Sequence, residues 1–242
     1  MDFNLDVFID ALTSKALRDG VLVTISLTIV SFVAGLAIGL GVALLRNSQR
    51  AVLQGLGWAY IWIFRAIPTI VQLFFVWYAL PQLVPALRGP DFLPFYAAAI
   101  ALSLNEAAYA AEIIRGGLLS IDDGQRLAAR ALGMQPAAVF RRIVAPQVIR
   151  VIIPPTANDF ITLLKITSLA YVVSLREIMT NTQTQIASSF RYAEWYTAAA
   201  LYYLVLVSVF MIGQAWFERR YVWVSQPRPK TFGLLRGFGG AR

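Results

Sequence analysis

The stretch RGGLLSIDDGQRLAARALGMQPAAVFRRIVAPQ (residues 115–147) is too long and too patterned for a passive connection. Ser120 with Asp123 three residues on is a helix-start pattern, and Asp122 and Asp123 suit the positive end of that helix. Residues 125–132 are good helix formers, and Gly133 supplies a stop. Pro136 suits the first turn of a second helix, which carries Arg141 and Arg142 and which Pro146 is expected to end. The first helix shows Leu127, Ala128, Ala131 and Leu132. Patterning alone leaves two uses for that apolar knob: docking into another protein, or lying on a lipid surface.

What flanks this stretch decides the class of the chain. Of 242 residues, 58% are hydrophobic and only 14% charged, and mean hydropathy is +0.64. Soluble domains carry about 25% charged residues, so this chain belongs in a bilayer. It has no cysteine and no histidine, which removes disulfides, zinc sites of the usual ligands, thiol nucleophiles and imidazole bases. There is no G-x-S-x-G nucleophile turn. None of Lys15, Lys165 and Lys230 follows a glycine, so the chain has no phosphate-binding loop for ATP. No catalytic or metal-ligating set is expected. The start is not a secretory signal, because Asp2, Asp6, Asp10 and Asp19 outweigh Lys15 and Arg18.

A transmembrane helix needs about 20 mostly apolar residues. Five stretches fit, near residues 20–45, 57–80, 94–114, 150–173 and 195–217, the third and fourth of them polar. They divide the chain into an N-terminal lead-in (1–19), a membrane domain (20–217) holding the loop 115–149, and a tail (218–242). The loops on one side, with Arg150 and the tail, hold fourteen Lys and Arg against three acids. The opposite side holds five against seven. Positive charge stays inside, so the N-terminus is expected outside and the C-terminus in the cytoplasm. The net charge of +8 then reflects topology and contact with anionic lipid rather than nucleic acid. The Gly-rich end FGLLRGFGGAR is expected to be irregular or loosely held at the lipid surface.

Within the spans, Gly35, Gly39 and Gly41 allow close helix packing. Pro68 should break the second span and free backbone groups, which Arg65 and Gln72 are placed to satisfy. Asn105, Tyr109 and Glu112 share one face of the third span, with Glu106 beside them. A carboxylate at membrane depth costs about 2.5–3.5 kcal/mol and marks a pathway or site by default. Glu112 has a second reading, an ion pair with Arg115. On the fourth span Asn158, Thr162 and Lys165 share a face, with Thr167 and Ser168 following. Lys165 is placed either to pair with Glu106 or Glu112 or to hold a substrate carboxylate. Trp195, Tyr196 and Trp216 suit interfacial belts on the fifth.

These motifs together carry a resemblance. Leu127-Ala128-Ala129, Gly133, Ile143 and Ala145-Pro146 stand at the spacing of the EAA loop of ABC importer permeases. AYAAEIIRGGLLSIDDGQ, PQVIRVIIPPTANDFITLLKITSLA and FRAIPTIVQLFF look like its polar amino acid branch, over about residues 20–217. The loop's usual glutamate is Leu127 here and its Leu-Pro is Ala145-Pro146, while the Gly and Pro framework is intact.

The resemblance implies an all-α, five-helix, MetI-like permease of a type I importer in the bacterial cytoplasmic membrane. It binds no cofactor itself. ATP and Mg are handled by an ABC ATPase dimer, and a second permease subunit, same or paralogous, completes the pathway. An extracytoplasmic binding protein delivers a polar or charged amino acid. Gln125, Leu127, Ala128, Ala129, Leu132 and Gly133 would couple to the ATPase. Asn105, Glu106, Tyr109 and Glu112 would meet the amino acid's amino group or a polar side chain. Asn158, Lys165, Thr167 and Ser168 would meet its carboxylate or backbone. The competing reading is a secondary transporter or channel acting without an ATPase, but no inverted repeat is apparent and five spans halve badly. A membrane-embedded enzyme would need a nucleophile or metal set that this composition withholds.

Overall fold

The computed structural model describes residues 3–221, and every regular element in that range is helical. A backbone with no water to bond must close its own hydrogen bonds, and a helix does so within one segment. Asn4 caps α1 (Leu5–Thr13), its side chain accepting from the Asp6 and Val7 amides. Ser14 caps α2 (Lys15–Arg46) through the Leu17 amide, so the first hydrophobic stretch sits inside a helix that starts before residue 20. α3 (Ala51–Ala66) and α4 (Thr69–Phe74) meet at Pro68, where the path turns by 101°. The break expected from proline is present, and the span read as 57–80 is two arms rather than one rod.

Past α4 the chain widens into a π-helical turn, Phe75–Ala79, and then α5 (Leu80–Leu83). A second π turn, Phe140–Val144, joins α8 (Pro136–Val139) to α9 (Ala145–Ile166). Each π turn is followed by proline at the second residue, Pro81 and Pro146. Proline cannot donate to the carbonyl four residues back and its ring crowds that carbonyl. The wider register accommodates both effects. Pro146 therefore widens the helix instead of ending it, which corrects the expected stop.

Between these lie α6 (Pro94–Leu119) and α7 (Asp123–Ala131). The helix-start residue of α7 is Asp122, which accepts from the Gly124 amide at 2.8 Å. Ser120 instead closes α6, its hydroxyl donating to the Gly117 carbonyl. Gly133 ends α7 as expected: at φ +78° it bonds Arg130 O while Met134 bonds Ala129 O, a left-handed cap that favours glycine. A 3₁₀ turn, Thr167–Val173, leads to α10 (Ile178–Ser189) and α11 (Tyr192–Tyr221).

α6 is the centre of the molecule. Its alanines, including Ala97, Ala101, Ala107, Ala108 and Ala111, are buried, because small side chains let neighbouring helices come close. α2 packs along it through two glycines. A Cβ on Gly35 would stand 2.5 Å from Glu106 Cγ, and one on Gly39 2.8 Å from Ala107 O. Gly41 has nothing within 4 Å, so only two of the three glycines serve packing. At the other end α1, α10 and α11 share a cluster built on Ala11, Ile178, Ile186 and Trp195. There Glu177 is fully buried and caps α10 through the Met179 and Thr180 amides, with the Tyr203 hydroxyl donating as well. Burial pushes its carboxyl up, while those donors hold it down.

Three described helices are long and apolar enough to cross a membrane: Lys15–Arg46, Pro94–Leu119 and Tyr192–Arg219. The bent pair Ala51–Ala66 and Thr69–Leu83 counts as a fourth. α9, which carries Arg150, Asp159 and Lys165, is not among them. The Gly-rich tail FGLLRGFGGAR lies outside the described residues.

Candidate functional site

The site is built where α3 breaks. Pro68 leaves carbonyls at the end of α3 without helical donors. Gln72 Nε2 donates to Phe64 O at 2.9 Å and to Ile67 O at 2.8 Å. Asn105 Nδ2 reaches across from α6 to Phe64 O at 3.1 Å and to Gln72 Oε1 at 3.3 Å. Both amides are buried. Gln72 thus does the work expected of it, and Asn105 fixes the broken span against α6.

Arg65, in the last turn of α3, lies against α6. Its guanidinium sits 5.3 Å from the centroid of the Tyr109 ring, a cation–π contact worth roughly 0.5–2 kcal/mol. It also faces Asp159 on α9 and Glu112 on α6. One turn deeper, Glu106 is 4% exposed and faces Asp159 across the α6–α9 contact. Glu106 Oε1 and Asp159 Oδ2 are buried with no hydrogen-bond donor among the described residues. Two facing carboxyls therefore lie between α6 and α9, Glu106 buried and Asp159 half-buried, with the exposed Arg65 and Tyr109 beside them. A cation placed between the carboxyls would satisfy oxygens that the protein leaves open.

Asp159 is the residue the sequence reading missed as a site member. Its neighbour Asn158 was chosen for sharing a face with Thr162 and Lys165. That face points elsewhere: Asn158 Oδ1 accepts from Gln214 of α11 at 3.1 Å. One residue is 100° of helix, enough to exchange a group facing α6 for one facing away. Arg65 had been read for its part in the break and not as a member of the site.

The other site candidates separate into distinct places. Glu112 is held by Arg115 through two bonds, of 3.1 and 2.7 Å, as its second reading expected. Lys165 is exposed and forms no ion pair with Glu106 or Glu112. Ser168 donates to Lys165 O. Thr167 is fully buried and donates to Leu164 O. The α9 set therefore does not converge with the α6 set inside one chain.

The residues expected to couple outward gather on α7. Leu127 is 64% and Leu132 84% exposed, and Ala128 is exposed beside them. Ala129 faces inward, into a small core with Ile121, Val139, Val144 and Val148. Gln125 accepts from Gln147 Nε2 of α9 at 2.6 Å. Arg126 donates to Leu118 O at the end of α6 at 3.0 Å. α7 is thus an apolar knob tied at its base to the two helices that carry Glu106 and Asp159.

Comparison with known proteins identifies the family. Residues 35–223 match the family described as binding-protein-dependent transport system inner membrane component. The probable amino-acid permease protein YxeN of Bacillus subtilis (strain 168) is 42% identical over 197 residues, covering 81% of this chain and 87% of that protein. The arginine transport system permease protein ArgU of Corynebacterium glutamicum is 37% identical over 229 residues, covering 90% and 72%. A crystal structure of an amino acid ABC transporter with histidines superposes with a TM-score of 0.80 at 32% identity, covering 91% and 99%. The chain belongs to this family, the membrane-embedded permease subunits of binding-protein-dependent ABC importers. It is a multi-pass inner-membrane protein and not itself an enzyme, since ATP hydrolysis belongs to a separate subunit.

Proposed function

We propose that this permease carries amino acids with a cationic group inward, and that Glu106 and Asp159 receive that group. The observation that carries the reading is the pair of facing carboxyls between α6 and α9, each with one buried oxygen that has no donor among the described residues. Buried oxygens without a donor are costly, and carboxyls at membrane depth mark a ligand site by default. Arg65 beside Asp159 would take the α-carboxylate, for which a guanidinium is suited, and Tyr109 would hold Arg65 in place. Asn105 is a positioning residue through the break at Pro68. The name of the arginine permease relative supports the substrate class.

The chain crosses five times, the fifth crossing being α9, which carries Arg150, Asp159 and Lys165. Its exposed face, Asn158, Thr162 and Lys165, is too polar for lipid. A second permease subunit, same or paralogous, covers it, and those residues with Ser168 line the shared path. The N-terminus lies outside and α7 in the cytoplasm, as the charge bias requires. There the ATPase dimer, which binds ATP and Mg, grips Leu127, Ala128 and Leu132. Its closure moves α6 through Arg126 and α9 through Gln147. An extracytoplasmic binding protein delivers cargo to the opposite end.

The test is uptake by the complete importer in vesicles. Glu106→Gln and Asp159→Asn should each lower arginine uptake at least tenfold and glutamine uptake far less, with the ATPase still bound. Equal losses for both amino acids, or none, would remove the carboxyl pair from substrate recognition.

A further inference from the structure

α11 packs on α1, α9 and α10 and stands off from the inner halves of α2 and α6. This leaves a groove of about 1030 Å³ between α2, α9 and α11, with the end of α6 at its side. Its lining is apolar except for Asn47, Thr156 and Gln214. The wall on α2 runs from Phe32 to Asn47, which at 1.5 Å per residue is ~22 Å. That is the depth of one leaflet with its headgroups, half of a ~40–45 Å bilayer. At the Phe32 end three rings close the groove: Phe32 meets Phe160 edge-on at 5.0 Å, and Phe160 meets Phe210 at 5.0 Å.

The other end is open and basic. Asn47 follows Arg46, Phe140 precedes Arg141 and Arg142, and Ile149 precedes Arg150. Arg141, Arg142 and Arg150 are exposed and form no ion pair among the described residues. One acid is present at the mouth, Glu218, which takes a hydrogen bond from Gln214 at 2.8 Å.

We propose that this groove is a binding site for one anionic phospholipid of the cytoplasmic leaflet, its chains against α9 and its headgroup among Arg141, Arg142 and Arg150. A neighbouring helix is a poorer fit, because a helix runs through both leaflets and this groove stops at mid-depth. A second copy of the chain has its own place. At 100° per residue, Ile149, Ile153 and Phe160, which line the groove, lie on the side of α9 roughly opposite Thr162 and Lys165, while Asn158 reaches Gln214 at the groove's edge. The polar side calls for a protein or water, and the groove side is left to lipid. Arginines near an anionic leaflet are attracted to its headgroups. The assignment of leaflet rests on the orientation proposed above.

The complete importer, purified in mild detergent from membranes holding phosphatidylglycerol and phosphatidylethanolamine, tests this by native mass spectrometry. About one phosphatidylglycerol per permease chain should be retained, in preference to phosphatidylethanolamine. Gly213→Phe, which fills the groove, should lower retention at least tenfold, and Arg141→Gln with Arg142→Gln should bring the two lipids to parity. Should Gly213→Phe fail to assemble, a fluorophore on Gly213→Cys takes its place, since the chain has no other cysteine. Brominated phosphatidylglycerol should quench it more than brominated phosphatidylethanolamine. Equal retention and equal quenching of the two lipids would overturn the proposal, as would a cross-link joining Gly213→Cys of two permease copies. Labelling of Ser48→Cys by an impermeant maleimide from outside would sink the orientation alone, leaving the lipid result to stand by itself.

Discussion

α6 and α7 break the same rule in opposite directions. α6 buries Glu106 where there is no water, and α7 exposes Leu127 and Leu132 where the charge pattern places water. A chain selected only to fold would exchange them, since apolar groups gain about 25 cal/mol per Å² by leaving water and carboxylates lose by it. Departures of this kind mark functional places in an otherwise consistent sequence. The two regions also differ in what surrounds them. Glu106 is held by close packing against Gly35, whereas α7 rests on Ala129 in a small apolar core and on two polar ties, Arg126 to Leu118 O and Gln147 to Gln125. On the proposed function, the first region receives cargo and the second is gripped by the ATPase.

That contrast can be tested from both ends. The largest effect is expected at Gly35→Leu, where even a Cβ would stand 2.5 Å from Glu106 Cγ. Overpacking costs roughly 1–3 kcal/mol where neighbours can shift, and here the neighbour is a helix. Folded permease, read as monodisperse yield, should be lost, while Gly41→Leu should leave it unchanged. Next comes the double change Leu127→Asp and Leu132→Asp. The permease should fold normally yet lose at least tenfold in affinity for the ATPase, about 1.4 kcal/mol, measured by co-purification at graded concentrations. Gln147→Leu should keep the ATPase bound but weaken the stimulation of its hydrolysis by loaded binding protein, about two- to fivefold, because the polar tie between α7 and α9 is then lost. Arg115→Gln should change uptake least. Its bond to Glu112 is half-exposed, and pairs of that kind contribute about 0–1 kcal/mol. An Arg115→Gln loss as large as that of Asp159→Asn would put the site nearer the end of α6 than its interior.

Much of this was legible in the residues. Pro68 announced the break, Gly133 the end of α7, and Gln72 the repair, since each follows from local backbone chemistry. The exposed apolar face of α7 was legible too, because its helix is short and capped. Other features depend on what lies across the interface. Asp122 and not Ser120 starts α7, because α6 runs on through Leu119 and Ser120 is needed to close it. Pro146 widens a helix instead of stopping it, because α8 and α9 share one axis of hydrogen bonds. Asp159 was passed over for Asn158, since a face common to three polar residues says nothing about which neighbour that face meets. The approach of Arg65 to Asp159 depends on how α3, α6 and α9 pack together, which no spacing within one span encodes.

Arginine uptake into vesicles, compared with and without the ATPase subunit, tests the account most directly. With ATPase, binding protein and internal ATP present, the wild-type permease should accumulate arginine, and the Asp159→Asn permease should not, although ATP is still hydrolysed. Arginine flux through the permease alone, driven by an ion gradient at the same rate, would contradict the account. It would make α7 a surface helix and this chain a transporter that needs no motor.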